Sequence, residues 1–300
     1  MIIENVKLSS YTLDKIANNW VSCIVDKSHY EQVSLKRPRN FFGKYNPNSS
    51  DFSDIEFIEE AYFGGVLFGK YGHFLIEGLS FLPNIPDDNV PIFFLTLNDV
   101  FTKWQQEFFQ DIGLLNRLVF SKKNKLTHIR RLHLFDQANV IDSLISFKYT
   151  KYLQSLFSNN KGSKFLYISR RKCRNAKIKN EDIFEKKLIS LGIEIVCPED
   201  FSIKNQVSLY ESASIIIGIE GSALHTLLFC STPKTLLIFR RREELAHNFH
   251  LQFATLPNIN VIEKAIMVSY GKKPTDESEI DVDAAIESVC SLIKEHELNM

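Results

Sequence analysis

Two apolar runs in this chain end in residues suited to holding an anion. Tyr167-Ile168 leads into Ser169-Arg170-Arg171, and Ile215 to Ile219 leads into Glu220-Gly221-Ser222-Ala223-Leu224-His225. In a parallel α/β sheet, ligands sit outside the carboxyl ends of the strands. A strand that turns through Gly into a Ser-capped helix presents free backbone N–H groups and the positive end of a dipole. If the two strands are neighbours, cationic side chains lie beside that helix end, and the pair describes a pocket for a phosphate or diphosphate. Alternation sends Arg170 and Arg171 to opposite faces, so one of them points at the ligand. Gly221 lets backbone approach, Ser222 caps the helix, and His225 on the first turn bonds a phosphate oxygen or caps a carbonyl. Glu220 is placed to bind sugar or ribose hydroxyls, or to act as a base. The plainer readings are a solvated loop, since Arg170 to Lys179 holds six basic residues in ten, and an ordinary capped turn. Arg240 to Arg242 could add charge at the same edge, although such runs more often face solvent.

A second candidate lies upstream. Tyr71-Gly72-His73 and Glu77 follow a glycine-rich strand, and if His73 to Leu79 is helical, His73 and Glu77 at i and i+4 share a face. Such a pair can present one proton acceptor oriented by the other, which suits general-base work; the alternative is a surface ion pair or a structural histidine. Metal sites find no support: His247 and His250 in His-Asn-Phe-His lack a third ligand, and no Asp-x-Asp is expected. Gly218 and Gly221 have the wrong spacing for a dinucleotide fingerprint, which argues against a nicotinamide oxidoreductase, and a P-loop is absent.

The stretch YISRRKCRNAKIKNED, followed by LGIEIVCPEDFSIKNQVSLYESASIIIGIEGSALHTLLF, resembles the C-terminal half of glycosyltransferase family 61 in its Tyr-x-Ser-Arg and Gly-Ser-Ala-Leu motifs. Tyr71 to Leu79, YGHFLIEGL, is similar to that family's His-Phe-Leu-x-Asp/Glu segment. The resemblance implies a GT-B-like α/β architecture, with two Rossmann-like domains facing a central cleft and the donor on the C-terminal domain. It implies metal-independent, inverting transfer from a nucleotide sugar, UDP-linked, to a glycan or lipid-linked glycan acceptor in bacterial surface polysaccharide, lipopolysaccharide or capsule. The nucleotide sugar is substrate, and no cofactor is called for. The catalytic pair would be His73 and Glu77. The donor site would comprise Ser169, Arg170, Arg171, Glu220, Gly221, Ser222, Ala223 and His225, with Arg170 favoured because the family's Arg directly follows its Ser. Arginine and helix dipole would offset the leaving-group charge. The alternative is a non-catalytic nucleotide- or phosphosugar-binding protein on the same fold.

Elements that would position these residues are legible from residue 160 on: strands at Phe165 to Ile168, Glu194 to Val196, Ile215 to Ile219 and Thr235 to Phe239 alternate with helices at Glu181 to Leu191, Ile203 to Ser212 and Ala223 to Cys230. Asn180 and Ser202 start helices and Gly192 stops one. Helical crossovers of this length make the strands parallel. The first half shows strands at Val21 to Val25, Ala61 to Phe68 and Ile92 to Leu95, a helix from Thr102 to Ile112 closed by Gly113, and strands near Leu118 and Leu132. His29 to Asp54 reads as a long loop that could contact acceptor.

At 300 residues the chain has room for two domains. The expected divisions are 1–157, 158–275 and a terminal helix within 276–300; in GT-B enzymes such a helix often returns to the N-terminal domain. With 36 basic and 36 acidic residues the net charge is zero, so nothing global favours nucleic acid, and an anion site must be local. Five scattered cysteines argue against a zinc site or a disulfide framework and for a reducing compartment. No signal peptide or spanning run is apparent, so a cytoplasmic location, at most peripheral to the inner membrane, is expected.

Overall fold

Parallel strands carry both halves of the chain. The structure is a computed structural model that describes residues 1–14, 19–22, 33, 44–45, 54–97, 99–123, 125–141, 144–157, 162–242, 252–253, 256–273 and 275–298. Most of the expected loop between His29 and Asp54 lies outside the described residues, as do His247 and His250 and the middle of the expected linker. Two compact units result, Met1–Tyr152 and Leu153–Met300, and the division falls inside the helix Phe147–Ser155.

The N-terminal unit begins with a strand that its charged, alternating sequence had concealed, β1 (Ile2–Leu8). Three short strands, β2 (Thr12–Asp14), β3 (Asn19–Ser22) and β4 (Lys44–Tyr45), make a small sheet. The main sheet is completed by β5 (Asp54–Leu67), β6 (Ile92–Thr96), β7 (Leu118–Phe120) and β8 (Lys125–His133), in the order β1-β8-β5-β6-β7. Only the β1–β8 pairing is antiparallel. Ile3, Val6, Ala61, Phe63, Val66, Phe93, Leu95, Ile129 and Leu132 from these strands meet in one core cluster. Register shifts between Phe63 and Gly65, and the ring of Phe94 occupies the space where a Cβ on Gly64 would stand, 2.6 Å away. The glycine-rich end of β5 is therefore a bulge built around an aromatic ring.

Immediately after β5 the chain makes one turn of α-helix, Tyr71–His73, and continues as a π-helix, Phe74–Gly78. Leu79 N–H reaches back to the Phe74 carbonyl at 3.1 Å, and the wide turn leaves the Leu75 and Ile76 carbonyls without the partners an α-helix would supply. Tyr149 O–H donates to Leu75 O, and Asn139 Nδ2 donates to Ile76 O at 3.0 Å. Phe74 anchors the turn, its ring 5.0 Å from Trp104 and 5.3 Å from Phe108 in T-shaped contacts. Both partners lie on the helix Lys103–Asp111, which opens with a Thr102–Gln105 capping box and is followed by Gly113 at φ 74°.

In the C-terminal unit the strands β9 (Lys164–Ile168), β10 (Glu194–Val196), β11 (Ala213–Ile219), β12 (Lys234–Phe239) and β13 (Ile259–Lys264) form a wholly parallel sheet in the order β10-β9-β11-β12-β13. The order turns back between β9 and β11, which makes the gap outside their carboxyl ends a topological switch point. The helices Glu181–Ser190 and Ile203–Glu211 are the crossovers, with Ser202 Oγ accepting from Asn205 N and Gly192 at φ 78°. A small antiparallel pair, β14 (Met267–Ser269) with β15 (Glu279–Ile280), precedes the terminal helix Val282–Leu298. That helix sets Ala285, Val289 and Leu292 into the core formed by Phe184, Leu188, Ile217 and Leu237. No helix among the described residues is long and apolar enough to cross a membrane.

The two side chains that serve the π-helix give the fold its first test. Tyr149→Phe leaves the Leu75 carbonyl unpaired in a dry core and is expected to lower stability by about 1–3 kcal/mol. A denaturant midpoint unchanged from wild type would show that the wide turn does not need this donor.

Candidate functional site

Residues following β9, β11 and β12 come together at the switch point. Ser169 and Arg170 leave β9, Glu220 and Gly221 leave β11, and Arg240 to Arg242 leave β12. The Arg170 guanidinium lies on Gly221, where a Cβ would fall 1.9 Å from its Nη1. That Nη1 donates to the Glu220 carbonyl at 3.3 Å, and Nε donates to the Ala176 carbonyl at 3.2 Å. Ala176 sits in the left-handed region at φ 58°, an unusual conformation for a residue with a Cβ, and the loop thereby turns its carbonyl under the arginine.

Arg171 points elsewhere: its Nη1 is 3.0 Å from Glu185 Oε2, and Nη2 approaches Cys197 Sγ. Of the two arginines, Arg170 is thus the one at the strand junction. Two buried carboxyl groups brace the turn between them. Glu181 Oε1 accepts from Arg170 N and from Tyr167 O–H, both at 2.7 Å, and Glu185 Oε1 accepts from Ser169 Oγ at 2.6 Å. Burial raises the Glu181 pKa, opposed by these two hydrogen bonds. Ser169 is buried at 2% exposure with its hydroxyl committed to Glu185, so it is a brace of the loop and not the donor contact expected of it.

Three further expectations are corrected. Ser222–Phe229 is a 3₁₀-helix rather than an α-helix, Gly221 is its cap, and no side-chain cap bond is made. Ser222 is exposed and free of a capping role, while Ala223 O accepts from Tyr210 O–H at 3.3 Å. His225 does not face the mouth: with three residues per turn its ring stacks back on its own helix. Nδ1 lies 3.2 Å from Ser222 O and Nε2 lies 2.8 Å from Gln252 Oε1, so both ring nitrogens are engaged. Glu220, expected as a base or a hydroxyl contact, is buried with its Oε1 bound at 2.8 Å by Arg242 Nη2.

Arg241 and Arg242 are the residues that the plain reading of a basic run had sent to solvent. Arg241 Nε donates to the Glu220 carbonyl at 3.2 Å, the same oxygen that Arg170 uses. Burial, with the charge of Arg170 next, pushes the Arg241 pKa down to about 10. Arg240 stays at the rim, paired with Glu263 at 3.1 Å. The signal in the sequence was the run's position directly after the apolar Leu236-Leu237-Ile238-Phe239.

In the N-terminal unit, His73 and Glu77 meet as expected, Nδ1 to Oε2 at 2.6 Å. Glu77 is fully buried and His73 is 39% exposed. In the tautomer that donates Nδ1–H to this carboxylate, the lone pair stands on Nε2. The ring packs 5.4 Å from Phe68. The dyad is therefore a half-exposed imidazole oriented by an inaccessible carboxylate.

Among the described residues no group of three or more His, Cys, Asp or Glu side chains could hold a metal ion. The chain does contain one Asp-x-Asp, Asp281-Val282-Asp283, contrary to expectation. It starts the terminal helix: Asp281 Oδ1 accepts from Ala284 N at 3.1 Å, and Asp283 pairs with Lys187 at 2.6 Å. The four described cysteines are free thiols.

Because Glu220 holds Arg242 in a buried pair, Glu220→Gln leaves an uncompensated cation among others. We expect a stability loss of about 3–5 kcal/mol, the range for removing one partner of a buried ion pair. A thermal melt within a degree or two of wild type would place the pair in solvent instead.

No curated protein matches the chain. The family model for Glycosyltransferase 61 matches residues 71–238, a span that opens at the turn bearing His73 and Glu77 and closes inside β12. The motifs that form the dyad and the Arg170–Gly221 junction both fall within it, and the chain belongs to glycosyltransferase family 61.

Proposed function

We propose that this transferase is a metal-independent, inverting enzyme that moves a sugar from a UDP-linked donor to a glycan or lipid-linked glycan of a bacterial surface polysaccharide, working from the cytoplasmic side. A GT-B-like frame of two Rossmann-like domains, as the family resemblance implies, underlies this reading. The observation that carries it is Arg170: a cation laid on a glycine at the switch point of a parallel sheet, braced by two buried carboxyl groups, with backbone carbonyls as its acceptors among the described residues. That is where a doubly wound sheet takes its ligand, and a guanidinium suits phosphate oxygens.

In this reading the donor diphosphate binds at Arg170 and the first N–H groups of the 3₁₀-helix, which have no intrahelical acceptor. His73 Nε2 removes the proton of the acceptor hydroxyl. The freed oxygen forms its bond to the anomeric carbon while the bond from that carbon to the phosphate oxygen breaks. The electron pair stays on the diphosphate, whose charge the arginines stabilise. Inversion follows from attack opposite the leaving group. Glu77, sealed from solvent, does not touch the acceptor; it is a positioning residue that fixes the proton on Nδ1 and supports positive charge on the ring.

The test is turnover of UDP-sugars in excess EDTA. Activity is expected to persist, and loss on chelation with recovery on adding manganese would overturn metal independence. His73→Ala should lower kcat by about 10²–10⁴ with donor affinity unchanged. Glu77→Gln should also lower kcat and shift the pH profile of the reaction while leaving the donor's Kd alone. A His73→Ala enzyme of full activity would remove the imidazole as base. Gly221→Ala should weaken UDP through displacement of the Arg170 side chain, at little expense to the melt, because the obstructing atom ends a flexible chain.

A further inference from the structure

Five arginines stand at the carboxyl edge of the C-terminal sheet, and they divide into two kinds. Arg171, Arg240 and Arg242 each meet a carboxylate, from Glu185, Glu263 and Glu220 respectively. Arg170 and Arg241 meet none among the described residues; both are turned onto one backbone oxygen, Glu220 O, at 3.3 and 3.2 Å. Two guanidinium groups drawn to one carbonyl repel each other, and Arg242 has already claimed the nearby carboxylate. Arg241 is only 6% exposed, and its Nη1 has no hydrogen-bond partner among the described residues. A buried cation that meets no carboxylate among the described residues is costly to keep. The low pKa of Arg241 reports the same strain, since burial and Arg170 both disfavour its proton. What the pair lacks is an anion with two acceptor groups.

We propose that Arg241, three residues beyond the end of the family match, is the second arm of a diphosphate clamp: Arg170 and Arg241 each take one phosphate of the donor, making the site selective for a diphosphate over a monophosphate leaving group. The inference rests on the donor site assigned above and extends it to a residue outside the family motifs. The arms leave β9 and β12, which flank β11, and reach over it from both sides to Glu220 O, so that two strands about 9.6 Å apart bring their guanidinium groups together at one point. Each arm can present two parallel N–H groups to oxygen. Arg242 is a holder and not a third arm, because it keeps Glu220 from neutralising the other two.

The experiment uses the full chain in EDTA and measures inorganic pyrophosphate and orthophosphate binding by calorimetry, together with thermal melts, for wild type, Arg241→Gln and Arg241→Lys. Pyrophosphate should bind wild type at least about tenfold more tightly than orthophosphate, the worth of one added charged hydrogen bond. Arg241→Gln should erase most of that preference while orthophosphate, held by Arg170, changes little. Without ligand Arg241→Gln should melt no lower than wild type, since it removes an unpaired cation, whereas a purely structural arginine would show the opposite. If the Gln variant fails to fold, Arg241→Lys carries the decision: charge without the fork should still reduce the preference. A pyrophosphate preference unchanged in every folded variant overturns the clamp, and with UDP-sugar turnover intact it leaves the proposed function standing. Selective pyrophosphate binding that depends on Arg241, in a protein that turns over no UDP-sugar, keeps the clamp and removes that function.

Discussion

Glu220 is the point on which the C-terminal unit's edge depends. Neighbouring strands run about 4.8 Å apart, so residues leaving β9, β11 and β12 are gathered at one edge, and five of those here are arginines. Guanidinium groups at such distances repel strongly in a site shielded from water. Glu220 resolves the conflict with two different oxygens: its carboxylate holds Arg242, and its backbone carbonyl receives both Arg170 and Arg241. The next residue is glycine, and a Cβ there would displace the Arg170 side chain from its place on the turn. Gly221 is thus explained by a neighbour across the sheet and not by its own backbone angles, which are extended.

The support behind Arg170 is of the same kind. A basic turn of zero intrinsic regularity is fixed by Glu181 and Glu185, one helical turn apart on the crossover helix, which bind its backbone and its serine. These carboxyl groups do not cancel the charge of Arg170 directly, since neither meets its guanidinium. The result is a local excess of positive charge within a chain of zero net charge. Such concentration, rather than overall charge, is what an anionic donor would encounter.

The N-terminal dyad uses a comparable economy of design. A buried carboxylate with an exposed imidazole partner is only stable if the backbone around it is satisfied, and a π-turn makes that harder by freeing two carbonyls. Tyr149 and Asn139 fill those positions from a distant part of the chain, and Phe74 ties the turn to the helix Lys103–Asp111. π-turns within helices often mark functional positions. Here the wide turn carries Glu77 into the core while its partner stays at the surface.

Periodicity and punctuation by themselves determined the strands and crossover helices of the C-terminal unit, the helix after Thr102 and the pairing of His73 with Glu77, because each is set by residues close in sequence, and crossovers of that length make the strands parallel. Motif spacing likewise determined the family. Other features depended on residues far apart in sequence. β1 was hidden because its alternation of charged and apolar residues has meaning only against β8. Ser169 was read as a ligand contact, and His225 as either a phosphate contact or a cap on a carbonyl, because Glu185 and Gln252 come from elsewhere in the fold. Nothing local distinguishes a solvated Arg-Arg pair from Arg241 and Arg242 buried against Glu220. Which charges are paired and which are left open is decided by strand order, and strand order exists only once the sheet has formed.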